Sequence, residues 1–171
     1  YTIFTKLCGK KTRVIHKLPY YPDRVVHHAI MQVLEPIWTK IFILDTYSSI
    51  KGRGIHFALT RLRKDLRKNP DTTKYCLKID IKKFYPIIDN DILKEIIRKK
   101  IKDPELLFLL DEIVNSEKGV PIGNYLSQYF ANLYLAYFDH DVKEKIGVKH
   151  YYRYCDDIVI LNESKSFLHG L

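Results

Sequence analysis

Three aspartates stand where carboxylates could do chemistry together. Asp156 and Asp157 are adjacent in YRYCDDIVIL (152–161), and Asp80 interrupts the apolar run YCLKIDI (75–81). Like charges side by side repel, so the pair is either a hairpin turn, because Asp tolerates left-handed turn conformations, or part of a metal site whose cation offsets the repulsion. Successive side chains of a strand point to opposite faces. Adjacent carboxylates therefore share a cation only if a two-residue turn bends the backbone between them. Asp80 becomes a third ligand if its strand is central and neighbours theirs, because a buried unpaired carboxylate demands a cation or a strong donor. Three carboxylates holding two Mg²⁺ ions roughly 3.5–4 Å apart form a clamp for in-line displacement at phosphorus. Alternatively, Asp80 pairs with Lys78 or Lys82 and the Asp pair is only a turn. Spacing leaves both readings open.

The elements around these residues follow from periodicity and punctuation. YTIFTKL and TRVIHKL flank GKK as a basic β-hairpin. DRVVHHAIMQVLEPIW carries apolar residues at helical spacing, with Asp23 as its N-cap. KGRG (51–54) is a loop, and IHFALTRLRKDLRKN is an amphipathic helix with a basic polar face. NPDTT (69–73) is the clearest punctuation and marks the expected lobe boundary. YCLKIDI is a short strand. Asp89 or Asn90 caps the helix DILKEIIRKKI, and a second helix follows Pro104. GVPIGN is a turn into a long helix over 125–146, and HYYRYCDDIVIL reads as strand, tight turn, strand. Strand, helices and hairpin in that order suit an α+β sheet with helices on one face.

Charge divides the chain unevenly. The net charge is +9, but residues 1–75 hold fifteen Lys and Arg against five Asp and Glu, and the remainder is nearly balanced. A basic front half suits a polyanion partner. Three cysteines at wide spacing, without C-x-x-C, form neither a disulfide framework nor a zinc site. No apolar run reaches the ~18–20 residues of a membrane span and no signal-peptide pattern opens the chain, so a soluble, non-secreted protein is expected.

The wording of the segments narrows the reading. KIDIKKFYPII resembles the first catalytic motif of reverse transcriptases, GVPIGNYLSQYFANLYL their motif B, and YCDD their Y-x-D-D box. KTRVIHKLPYYPDRVVHHAI and DTYSSIKGRGIHFAL resemble the bacterial fingers motifs that precede these, all in family order. The D-T-Y…G-R-G-x-H-x-A-L and P-I-G-N-x-x-S-Q patterns resemble the enzymes of diversity-generating retroelements. Group II intron-type and retron enzymes usually have Gln-Gly where this chain has Ile122-Gly123.

The resemblance implies an α+β polymerase hand, with fingers over 1–73 and palm over 74–171. The palm would be a ferredoxin-like antiparallel sheet, and the thumb would lie outside this chain. It implies an RNA-directed DNA polymerase that adds dNTPs to a DNA or RNA primer on an RNA template. The enzyme would be cytoplasmic, bacterial or phage-encoded, with no membrane partner and with room for an accessory protein or host RNA. The rival readings are a weak or inactive RNA-binding scaffold of the same fold and an RNA-dependent RNA polymerase.

Residue by residue, Asp80, Asp156 and Asp157 match the catalytic carboxylates. Together with the Ile81 carbonyl they would hold two Mg²⁺ ions, which Mn²⁺ could replace. Tyr85 matches the aromatic that excludes a ribose 2′-OH, beside Phe84. Gly123 would give the backbone room at the nucleotide, Ile122 stands where relatives place a polar contact, and Gln128 would touch template or nucleotide. Arg13, with Lys6, would grip the triphosphate. Lys11, Arg24, Arg53, Arg61, Arg63, Lys64, Arg67 and Tyr154 would contact nucleic acid.

Overall fold

A computed structural model describes residues 1–9 and 11–171, with the side chains of Cys8 and Lys11 outside the description. In chain order the elements are β1 (Thr2–Cys8), β2 (Lys11–Lys17), α1 (Val25–Trp38), α2 (Ile55–Lys68), β3 (Tyr75–Asp80), α3 (Phe84–Ile87), α4 (Asn90–Arg98), α5 (Pro104–Asn115), α6 (Tyr125–His140), β4 (His150–Tyr154), β5 (Asp157–Asn162) and α7 (Lys165–His169). Local chemistry explains several boundaries. The Asp89 carboxylate accepts from the amides of Asp91 and Ile92 and starts α4, and Asp103 does the same for α5 through Leu106, with Pro104 in the first turn. Asp23 makes no such cap: it lies in a wide turn over Tyr20–Arg24 that leads into α1. The long helix expected over 125–146 is α-helical to His140 and widens into a π turn over Asp141–Lys145. Among the described residues no helix is long and apolar enough to cross a membrane.

The chain forms two compact units, each built from two segments: Tyr1–Lys40 with Lys83–Tyr134, and Ile41–Lys82 with Leu135–Leu171. The boundary expected after residue 73 falls inside the second unit, where NPDTT is only the connection from α2 to β3. Punctuation marks a local chain reversal, and a reversal within a unit looks the same in sequence as one between units.

In the first unit β1 and β2 form an antiparallel hairpin in which Lys6 faces Arg13 and Phe4 faces Ile15. Its core includes the α1 stripe Ile30, Met31, Leu34 and Trp38, and Trp38 packs on Phe130 of α6. In the second unit β3, β5 and β4 form an antiparallel sheet in that order. β5, the central strand, alternates its apolar residues between two cores. Ile158 and Ile160 pack with Tyr151, Val142 and Leu168. Val159 and Leu161 pack with Tyr152, Tyr47, Ala58 and Leu62. Helices therefore lie on both faces, α7 on one and α2 on the other. A strand that is apolar at nearly every position needs cover on both sides.

Candidate active site

The sheet of the second unit brings the acidic residues to one end. Asp80, the last residue of β3, stands opposite Asp157, the first of β5, and Tyr154 of β4 stands opposite Asp157 on its other side. The reversal between β4 and β5 is made by Cys155 and Asp156, with Cys155 in the left-handed region at φ +57°. Asp156 is therefore the second residue of the turn, and Asp157 the first of the ladder. The Ile81 amide donates to the Asp156 carbonyl at 3.4 Å, carrying the pairing of β3 past Asp80.

β3 is the edge of this sheet and not its centre, and Asp80 is exposed while Asp156 and Asp157 are half-buried. Burial therefore does not demand a partner for Asp80. Cross-strand register brings it to Asp157, where facing like charges cost stability unless something offsets them. Lys78 supplies part of that offset. Its Nζ lies 3.3 Å from Asp157 Oδ1, reaching diagonally across the ladder and not along its own strand to Asp80. As the side chains stand, no three His, Cys, Asp or Glu groups among the described residues converge on a point that could hold a metal ion. The donor set itself fits a hard divalent cation: carboxylates opposite one another in register, with a third on the adjoining turn. Recruiting Asp157 to an ion requires it to exchange Lys78.

Beneath the turn lies a buried ion pair. Arg153 and Asp139 are both fully buried, and the guanidinium Nε and Nη2 donate to the Asp139 carboxylate at 2.6–2.9 Å. Asp139 also accepts from the Tyr151 hydroxyl at 2.6 Å and from Thr46 Oγ1 at 3.0 Å. Burial works against the Arg153 charge, but Asp139 outweighs it and holds the pKa above the usual guanidinium value. For the Tyr151 hydroxyl burial acts in the raising direction, together with Asp139. A second network joins Asp45 to Arg61, Lys143 and the Tyr47 hydroxyl, and Asp65 to Tyr152 and His150. Burial opposes the Asp65 carboxylate, yet the hydrogen bonds from Tyr152 and His150 prevail and lower its pKa.

These networks sort the basic residues expected at nucleic acid. Arg61 gives its guanidinium to Asp45 at 3.2 Å, and Arg53 donates to the Ile43 carbonyl at 2.8 Å, so both hold the fold. Arg63, Lys64 and Arg67 are exposed on α2, and Tyr154 is exposed beside Asp157. The side chain of Lys11 lies outside the described residues.

The nucleotide-binding candidates belong to the first unit. Lys6 and Arg13 face one another across the hairpin and are both exposed. Two cations held opposite each other favour an anion between them. Phe84 is buried, against Tyr85 and Tyr134, so its ring is core and Tyr85 is the half-buried member of the pair. The Tyr85 carbonyl accepts from the Val120 amide at 2.9 Å. Gly119 makes that approach feasible, since at φ +73° an added Cβ would lie 2.6 Å from the same carbonyl oxygen. Gly123 has a comparable reason: a Cβ there would meet the His16 carbonyl at 2.8 Å, and the Ile122 carbonyl accepts from the His16 amide. Its freedom thus serves packing of the hairpin. Gln128 is exposed on α6. Arg24 lines a cleft of about 660 Å³ with Tyr20, His27, His28, Asn124 and Tyr125.

Arg153, Asp139 and Gly119 were not singled out from sequence, and Lys78 was weighed there only as a partner for Asp80, whereas it pairs with Asp157. Arg153 carried a signal, since a charge within the apolar strand HYYRY must find a buried partner. The ion pair of Lys78 depends on register, which spacing does not carry.

Comparison with known proteins agrees with this arrangement. The sequence matches the reverse transcriptase (RNA-dependent DNA polymerase) family over residues 6–170, and the chain belongs to that family. It is 24% identical over 140 residues to Protein YkfC of Escherichia coli K12, covering 75% of this chain and 37% of that one. It is 25% identical over 142 residues to the group II intron-encoded protein LtrA of Lactococcus lactis subsp. cremoris, covering 77% and 23%. In fold it is similar to apo telomerase of Candida tropicalis, with a TM-score of 0.62 at 16% identity over 98% of this chain and 44% of that one. The chain spans less than half the length of each.

Proposed function

We propose that this chain carries the polymerising centre of an RNA-directed DNA polymerase, which extends a primer 3′-OH with dNTPs on an RNA template. The observation that supports it most is the register that sets Asp80 opposite Asp157, next to the turn that bears Asp156. Asp80, Asp156, Asp157 and the Ile81 carbonyl would hold two Mg²⁺ ions, replaceable by Mn²⁺. When bound, the ions would supply Lewis-acid stabilisation of the attacking and leaving oxygens. Lys6 and Arg13 hold the triphosphate through their facing cationic groups. Tyr85, its backbone fixed by Val120, fills the volume that a ribose 2′-OH would need. The exposed Arg63, Lys64 and Arg67 bind the phosphates of template or primer, through contacts that weaken as salt rises. Such catalysis is mostly positioning and charge stabilisation.

Ile122-Gly123 favours a diversity-generating retroelement as the source, and similarity to a group II intron-encoded protein favours an intron. A template/variable repeat pair beside the gene distinguishes them. The ion pair between Lys78 and Asp157 favours one further reading, an RNA-binding scaffold without catalysis.

Primer extension on RNA by the full-length protein separates these readings. The wild type extends with dNTPs and rejects rNTPs, and Tyr85→Ala accepts both. Extension with rNTPs by the wild type would make the enzyme an RNA polymerase. Failure to extend with either, by a folded protein that binds RNA, would make it a scaffold.

A further inference from the structure

Asp156 depends on a turn that the backbone does not favour. Cys155 sits at φ +57°, a region disfavoured for a non-glycine residue, and such conformations persist when their surroundings over-determine them. One surrounding group is Arg153. While its Nε and Nη2 engage Asp139, its Nη1 donates to the Cys155 carbonyl at 3.0 Å. Arg153 is itself immobilised: its amide donates to the Asp45 carbonyl and its carbonyl accepts from the Tyr47 amide, both at 2.9 Å. Asp139 is fixed by Tyr151 and Thr46 as well. A buried ion pair is weak evidence for stability, since well-packed apolar residues often serve as well. Its forked geometry supplies direction.

We propose that Arg153, oriented by Asp139, is a positioning residue for metal binding: by holding the Cys155 carbonyl it fixes the turn so that Asp156 and Asp157 are presented together with Asp80. This rests on the metal-binding reading of the three aspartates. A lysine at 153 keeps the charge opposite Asp139, but one ammonium cannot span both Asp139 and the turn carbonyl as the fork does.

The test uses Arg153→Lys in the full-length protein, with Mn²⁺ titration and amide hydrogen exchange. The Mn²⁺ dissociation constant is expected to rise about tenfold or more, as for other groups that orient metal ligands. Exchange at amides 155–157 should quicken selectively, with Val159 and Ile160 unchanged and RNA affinity intact. Unchanged Mn²⁺ affinity, or exchange faster throughout β4 and β5 alike, would overturn the proposal. If the wild type binds no Mn²⁺, the metal reading fails by itself. Selective exchange at the turn then upholds the clamp, and uniform or unchanged exchange refutes it. Should Arg153→Lys not fold, Tyr151→Phe removes one donor to Asp139 and is expected to weaken Mn²⁺ binding about threefold with the same selectivity. No such change would overturn the proposal.

Discussion

Lys78 and Asp157 lie 3.3 Å apart with 67% and 48% of their side chains exposed, so water screens the pair and it holds only weakly. A divalent cation at Asp157 must compete with this ammonium. Lys78→Ala is therefore expected to tighten Mn²⁺ binding by about threefold at low salt, with the difference fading as salt screens the charge. Equal or weaker binding by the variant would mean that Asp157 is not a ligand. The three aspartates stood out as candidates in the sequence because a carboxylate in an apolar strand, or two in a row, is chemically conspicuous. The partner of Asp157 was not, because the diagonal from Lys78 exists only once β3 and β5 are in register. Phe84 and Tyr85 were legible as a pair, but which ring is buried depends on Tyr134, about fifty residues away in sequence.

Elements were legible wherever capping and periodicity agreed. Asp89 and Asp103 start α4 and α5, and the β4–β5 hairpin forms around CD. Strand order was not legible: an apolar strand bearing Asp80 looked central, but β5 is the strand flanked on both sides. The two-segment build of each unit was hidden for a similar reason, since contacts distant in sequence leave no local mark. The end of α6 carries a testable consequence. His140 Nε2 lies 2.7 Å from the Ile41 carbonyl, and Nδ1 lies 2.7 Å from Glu144. The hydrogen bond to Ile41, then that to Glu144, raises the histidine pKa above its ordinary 6.5. The folded state thus holds this proton more tightly than the unfolded chain does, and stability falls as pH rises. The contribution is complete below pH 6.5 and is lost as pH climbs through the raised value. The ring is about a third exposed, so the effect is at most about 1 kcal/mol. Urea unfolding of wild type and His140→Gln across this range should show stability falling more steeply with pH in the wild type. Identical slopes would contradict it.

At the scale of the molecule, the sequence's charge asymmetry and its motif order pointed to a polyanion-handling polymerase, and membership of the reverse transcriptase family agrees. Within that basic front half the cations divide their labour. Arg53 and Arg61 have partners within the fold, whereas Lys6, Arg13, Arg63, Lys64 and Arg67 are exposed. RNA binding should therefore be separable from chemistry, because the exposed cations and the aspartates at the end of the sheet are different residues. The most direct measurement is single-nucleotide primer extension on an RNA template by the full-length protein, comparing wild type with Asp80→Asn and following RNA affinity in parallel. Asp80→Asn is expected to lower the rate by about a thousandfold or more, as for loss of a group that stabilises transition-state charge, and to leave RNA affinity within about twofold. Extension by Asp80→Asn at the wild-type rate would contradict the assignment of this site.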